Sequence, residues 1–112
     1  EVDHLMASFA KTPFTPPSAK DCIAAVGEDL FSALIDKEFL LPLTPEVVFR
    51  REDYEEIVIQ IKSMLTNHGT ISVAQVRDKF NTSRRYVLAI LEHMDNIGLT
   101  VREGDVRKLK RR

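Results

Sequence analysis

The sequence predicts a mainly α fold with small β-hairpins, an α+β class, laid out as two consecutive domains over residues 1–49 and 50–112. Two observations predict it. Apolar residues recur at three- and four-residue spacing in short stretches cut by Gly, Pro and Asn, and one order of elements occurs twice. A chain of 112 residues with 44% hydrophobic residues can bury one ordinary core or two very small, marginal ones, and is folded in either case.

In the first half Val2, Leu5, Met6 and Phe9 mark one face of a helix that Pro13 must break. The segment Thr12-Pro13-Phe14-Thr15-Pro16-Pro17 cannot be helical. Ser18 is placed to cap a helix running to about Val26, Gly27 closes it, and Glu28 or Asp29 opens another through Phe31, Leu34 and Ile35 to about Lys37. A hairpin follows, with Phe39 to Leu43 outgoing, turn chemistry at Thr44-Pro45-Glu46, and Val47-Val48-Phe49 returning. Arg50 to Asp53 is then expected to be a short connection that leaves the halves little slack.

The second half repeats that order. Tyr54, Ile57, Val58, Ile61, Met64 and Leu65 form a helical stripe that stops at Asn67-His68-Gly69, a sequence suited to a left-handed cap. Ser72-Val73-Ala74-Gln75 reads as a capping box opening a second helix with apolar positions Val73, Val76 and Phe80. Asn81-Thr82-Ser83 is a tight polar connection. Val87, Ile90, Leu91, Met94 and Ile97 then give the expected buried stripe of a third helix, ended by Gly98. Leu99 to Glu103 and Val106 to Leu109 flank Gly104-Asp105 as a hairpin.

Helix, helix, tight turn, helix, hairpin is the order of a winged helix, so the sequence predicts two in tandem. Such a fold offers its third helix to a nucleic acid, and the hairpin, the wing, touches the neighbouring backbone. Charge divides the halves. Residues 1–52 carry five basic against nine acidic side chains, a balance of −4, whereas 53–112 carry eleven against eight, or +3. A polyanion is expected to meet the second half and avoid the first.

The candidate contacts cluster accordingly. Arg84 and Arg85 open the third helix, where unpaired backbone N–H groups and the positive end of the helix dipole also attract phosphate. At 100° per residue, Ala89, Glu92 and Asn96 fall within about 40° of Arg85 while Val87 and Met94 lie opposite, so Arg85 should face solvent and Arg84 the flank. Asn81, Thr82 and Ser83 combine donors and acceptors suited to a base or sugar, although one of them is needed to cap the helix. Arg102 and Arg107 flank the wing turn. Lys108, Lys110, Arg111 and Arg112 continue the basic character into the tail, where they also serve solubility. Arg77 and Lys79 border the tight turn, and for Arg77 an internal ion pair, for example with Asp78, is the competing role. Tyr86 suits base stacking less well than a partly buried place in the core.

Other chemistries find little support. His4, His68 and His93 are scattered, and no cluster has zinc-ligand spacing, so neither a metal site nor a catalytic residue is predicted. The phosphate-cradling G-x-x-x-x-G-K-[ST] and the G-x-S-x-G motif are both missing. The lone Cys22, in an apolar stretch, reads as a buried reduced thiol. No apolar run approaches the roughly 18 residues that cross a bilayer, so the chain is expected to be soluble and cytoplasmic. Because it begins at Glu1 with residues that already look helical, it is expected to be a C-terminal fragment of something longer.

From Val73 to Leu109 the sequence resembles the last winged helix of the bacterial selenocysteine-specific elongation factor. The resemblance rests on Arg77-Asp78, on Thr82-Ser83-Arg84-Arg85-Tyr86, on Leu91-Glu92 with Asp95-Asn96-Ile97-Gly98, and on Thr100, Arg102, Gly104-Asp105 and Arg107. It departs from the family pattern at Arg85, commonly lysine, and at Asn81, commonly glycine; the charge is kept, and Asn still tolerates a left-handed turn. The resemblance implies a monomeric translation factor whose N-terminal domains bind GTP, magnesium and selenocysteinyl-tRNA at the ribosome. Its C-terminal winged helices would hold an mRNA hairpin, the selenocysteine insertion element, near a UGA codon being recoded. Residues 1–49 would then be the third winged helix, a spacer, and 50–112 the fourth, gripping the hairpin through Arg77, Asn81, Thr82, Ser83, Arg84, Arg85, Arg102 and Arg107. A winged-helix DNA-binding regulator and a winged-helix protein-interaction module remain the alternatives, since fold does not decide function.

Overall fold

Leu5 and Phe9, one helical turn apart, are the buried residues of α1, Val2–Lys11, whose end is tied by Thr12 N–H to the Phe9 and Ser8 carbonyls before Pro13 forbids another turn. This is the first element of a computed structural model that describes residues 1–111. Two units make up the chain, Glu1–Glu55 and Glu56 onward.

In the first unit the Ser18 hydroxyl accepts the Asp21 N–H at 3.1 Å and so caps α2, Ala19–Val26. Gly27, at φ +86°, separates α2 from α3, Glu28–Asp36, whose first turn carries Glu28 and Asp29 against the helix dipole. The strands β1, Leu40–Pro42, and β2, Val48–Arg50, pair antiparallel with Leu40 opposite Arg50. The core gathers Leu5, Phe9, Cys22, Phe31, Leu34, Leu40 and Val48. Burial, aided by the nearby Asp21 charge, pushes the Cys22 thiol up to about 11, so it is protonated and inert at neutral pH. Phe39, expected in the outgoing strand, precedes it and is exposed.

Arg50 to Asp53, expected to be a connection, is regular structure: Arg50 ends β2, and α4, Arg51–His68, begins at the next residue. The Arg50 guanidinium donates twice to the Asp53 carboxylate at 2.9 Å. Along α4, Tyr54, Ile57, Ile61 and Leu65 are buried, and the helix closes with Gly69 N–H on the Leu65 carbonyl at 2.8 Å.

The second unit then adds β3, Ile71–Ser72, a strand too short to leave any alternation in the sequence. The predicted capping box holds. Ser72 Oγ accepts from Gln75 N–H at 3.1 Å, Gln75 Oε1 accepts from Ser72 N–H at 2.8 Å, and α5 runs Val73–Phe80 with Val76 and Phe80 buried. Asn81 takes the left-handed conformation (φ 51°, ψ 49°) that the tight turn needs. The third helix, α6, spans Arg84–Asn96. β4, Thr100–Glu103, and β5, Val106–Leu109, complete a three-stranded antiparallel sheet in the order β3-β5-β4.

Two expectations for α6 fail. Ile97 is 53% exposed, because the helix ends at Asn96 and Ile97 leaves the helical period. Ala89, expected beside Arg85 on the solvent side, is 4% exposed. Both α5 and the β4–β5 hairpin pack on α6, so its buried surface is wider than one stripe.

The units share more than an order of elements. Ser18 bridges Val47 as Ser72 pairs with Val106, so in each the serine that caps the second helix also touches the returning strand. Phe39 N–H bonds the Leu34 carbonyl as Leu99 N–H bonds that of Met94, each at 3.0 Å across a left-handed residue, Glu38 or Gly98. Arg51 N–H bonds the Phe39 carbonyl as Lys110 N–H bonds that of Leu99, each at 3.0 Å. These pairings align the hairpins residue by residue.

Candidate nucleic-acid interface

The polar turn at Asn81 brings α6 in so that Arg84 and Arg85 form its first turn, both exposed. Ser83 occupies the cap position with extended backbone (φ −110°, ψ 160°), and its carbonyl accepts from Tyr86 and Val87 N–H at 3.2 Å. Its hydroxyl makes no cap hydrogen bond. The expected side-chain cap is therefore not supplied by Ser83, which stays exposed beside the two arginines, as does Asn81. Thr82 is half-buried, and its N–H closes α5 on the Arg77 carbonyl at 3.1 Å.

The two arginines diverge. The Arg85 guanidinium lies 5.4 Å from the centroid of the half-buried Tyr86 ring, a cation–π distance. Arg84, on the flank as predicted, instead lines a cleft of about 410 Å³. Leu88 and Glu92 continue that wall of α6, Ser72, Val73 and Ala74 bring the N-terminus of α5, and Arg102, Asp105 and Arg107 bring the wing. Three guanidiniums thus converge on one cleft that also has two carboxylates and an apolar patch at Leu88.

Arg107, expected beside the wing turn among the residues that grip the hairpin, turns inward instead. It is 3% exposed, and its Nε and Nη2 donate to Asp95 Oδ2 at 3.2 and 3.0 Å. Asp95 Oδ1 accepts the Thr100 hydroxyl at 2.6 Å. The physical reason is strand position: Arg107 lies on β5, the middle strand, and faces inward toward α6. Its register partner Arg102 is on the edge strand β4, exposed, with Nε donating to the Gly104 carbonyl at 3.0 Å, which holds the side chain along the wing turn.

Outside the cleft, Arg77 pairs with Asp78 (Nε to Oδ1, 3.3 Å) yet remains 45% exposed, so the ion pair leaves the guanidinium accessible to solvent. Lys79 is exposed. On the wing, Lys108 pairs with Glu103 at 2.7 Å, and Lys110 and Arg111 are exposed beyond it. Arg112 lies outside the described residues. Among the described residues no group of three or more His, Cys, Asp and Glu side chains could hold a metal ion, and no helix is long and apolar enough to cross a membrane.

Sequence reasoning missed the cleft itself and its polar members Ser72, Glu92 and Asp105. Ser72 was read only as a cap and Asp105 only as turn chemistry. The role of Asp95 had no local signal, because its partners lie five and twelve residues away.

The first unit serves as an internal control. Aligned through the shared hydrogen bonds, Arg102 corresponds to Pro42 and Arg107 to Val48, while α3 begins four residues later than α6 and has no counterpart of Arg84 or Arg85. One order of elements appears twice, and the cleft that gathers Arg84, Arg102 and Arg107 belongs to the second copy.

The chain is similar to several known proteins. A family model described as "Elongation factor SelB, winged helix" matches residues 63–109. The selenocysteine-specific elongation factor of Desulfomicrobium baculatum is 21% identical over 111 residues, which covers 94% of this chain and 18% of that protein. That of Haemophilus influenzae is 30% identical over 67 residues, 60% of this chain and 11% of that protein. The chain thus spans under a fifth of the length of these relatives. Among solved structures, the mRNA-binding domain of elongation factor SelB from E. coli, in complex with SECIS RNA, superposes with a TM-score of 0.72 at 19% identity, over 99% of this chain and 100% of that one. Residues 63–109 therefore match the winged helix of elongation factor SelB, and the chain shares the fold of the E. coli domain.

Proposed function

We propose that this chain binds an mRNA hairpin, the selenocysteine insertion element, and so tethers a selenocysteine-specific elongation factor for UGA recoding. The observation that carries the reading is the cleft between α6 and the wing, which Arg84 from the helix and Arg102 and Arg107 from the wing all line, at positions where the first unit's hairpin has Pro42 and Val48 in place of Arg102 and Arg107. The E. coli domain whose fold it shares is described bound to SECIS RNA, which supports the same class of ligand here.

An A-form stem hides its major-groove base edges from a helix, so this chain would grip the backbone and take its specificity from single-stranded features. Arg84, Arg85 and Arg102 hold phosphates. Asn81, Thr82 and Ser83 contact bases or sugars at the mouth of α6, while Arg77 supports the rim. The acidic first unit is a spacer. The chain itself binds rather than catalyses, and acts as a monomer in the cytoplasm; GTP, magnesium, selenocysteinyl-tRNA and the ribosome are partners of the longer factor to which it would belong.

Fluorescence anisotropy with a labelled SECIS hairpin, competed by a DNA duplex of matched length, tests this. Hairpin binding that weakens with salt and resists the duplex is expected. Equal competition by the duplex would favour a DNA-binding regulator. Absence of any salt-sensitive nucleic-acid binding would leave a protein-interaction module.

A further inference from the structure

The buried polar cluster Asp95, Thr100 and Arg107 has an apolar counterpart in the same molecule. The hydrogen bonds and strand registers that align the two hairpins match Asp95 with Ile35, Thr100 with Leu40, and Arg107 with Val48. Leu40 and Val48 are fully buried in the core of the first unit, and Ile35 packs against it. In one position the fold thus closes with three hydrocarbon side chains, and in the other with a carboxylate, a hydroxyl and a guanidinium. Stability alone does not account for the polar version, since replacing a buried ion pair by well-packed apolar groups is often neutral or stabilising.

Geometry supplies the reason. Arg102 and Arg107 are directly opposed across the β4–β5 hairpin and therefore share a face, where two like charges repel. Asp95, reaching from α6, neutralises Arg107 through two hydrogen bonds and so allows Arg102 to stay on that face. The same contact fixes the wing to the helix that carries Arg84. A hydrocarbon cluster is non-directional and would tolerate sliding of the hairpin along α6; a guanidinium fork on one carboxylate oxygen, with the Thr100 hydroxyl at 2.6 Å on the other, does not.

We propose that Asp95, Thr100 and Arg107 are positioning residues that set the wing on α6 so that Arg102 and Arg84 are spaced for the RNA backbone. The inference rests on the hairpin-binding reading. It assigns a binding role to Asp95, an anion, and to Thr100, neither of which has to touch RNA.

The test transplants the first unit's own solution: Asp95→Ile, Thr100→Leu and Arg107→Val together in the 112-residue chain. Net charge is unchanged, because one anion and one cation leave together. Thermal unfolding and hairpin anisotropy are then measured side by side. The expected result is a cooperative melt no lower than wild type with hairpin affinity reduced about tenfold, as two phosphate contacts lose alignment. Wild-type affinity in a folded triple variant overturns the inference while leaving the function intact. Failure of the wild-type chain to bind the hairpin overturns both.

Should the triple variant not fold, Asp95→Asn decides. It raises net charge by one, so a purely electrostatic role for this region requires tighter RNA binding, whereas positioning requires weaker binding, by about threefold as the fork on the carboxylate loses its charge. Tighter binding overturns the inference.

Discussion

Removing the Arg84 side chain probes the cleft where it is most exposed to a ligand. Arg84→Ala deletes a guanidinium from one wall while the wing wall, Arg102 and Arg107, is untouched. One charge-assisted hydrogen bond to phosphate contributes about 1.5 kcal/mol net, or roughly a tenfold loss of affinity at low salt. The same contact releases about 0.7–0.9 of a counterion, so the slope of log K against log salt should become shallower by that amount. Between about 50 mM and about 200 mM salt the wild-type to variant affinity ratio therefore shrinks about threefold, from roughly ten to roughly three. Anisotropy titrations of a labelled SECIS hairpin at four salt concentrations measure both quantities, with Lys20→Ala, an exposed lysine of the first unit, as the control expected to match wild type. Parallel salt lines for Arg84→Ala and wild type would refute the placement of a phosphate in this cleft.

Three further outcomes are expected. Arg85→Ala should also weaken hairpin binding and lower the salt slope by about one counterion, and it should change Tyr86 fluorescence, because the cation over that ring is lost; an unchanged slope would reduce Arg85 to a surface residue. Ser72→Ala removes the hydroxyl half of the capping box, leaving the backbone N–H of residue 72 on Gln75 Oε1, and should lower stability to urea by about 1 kcal/mol without altering the far-UV spectrum. Burial raises the Tyr54 hydroxyl from 10.0 to about 12, so the folded chain holds that proton more tightly than the unfolded one. The resulting stability is complete below about pH 10 and is lost as pH rises through about 12; Tyr54→Phe should lose about 2 kcal/mol less than wild type across that window in urea titrations.

Local chemistry explains why so much of the fold was legible. The capping box at Ser72 and Gln75, the left-handed Asn81, the cap at Ser18 and the glycine after α6 are all decided within four residues of sequence, and each occurs where expected. β3 was not legible, because a two-residue strand exists only when its partner β5 arrives. Ala89 and Ile97 were misplaced for the related reason that a helical wheel assumes one buried side and a helix of known end. For the interface, the sequence located the basic helix mouth and the basic wing but could not say which arginine would face which way.

By itself, then, the sequence determined what is set by short-range rules: element order, turn conformations, the repeated plan and the unequal charge of the two halves. Tertiary structure alone decided the fate of Arg107, which composition places among the RNA-facing cations and the sheet order buries against Asp95. It also brought Arg84 and Arg102 into one cleft. Both outcomes depend on where β5 falls between β3 and β4 and on how the hairpin docks on α6, long-range pairings whose partners leave no mark on one another's local sequence.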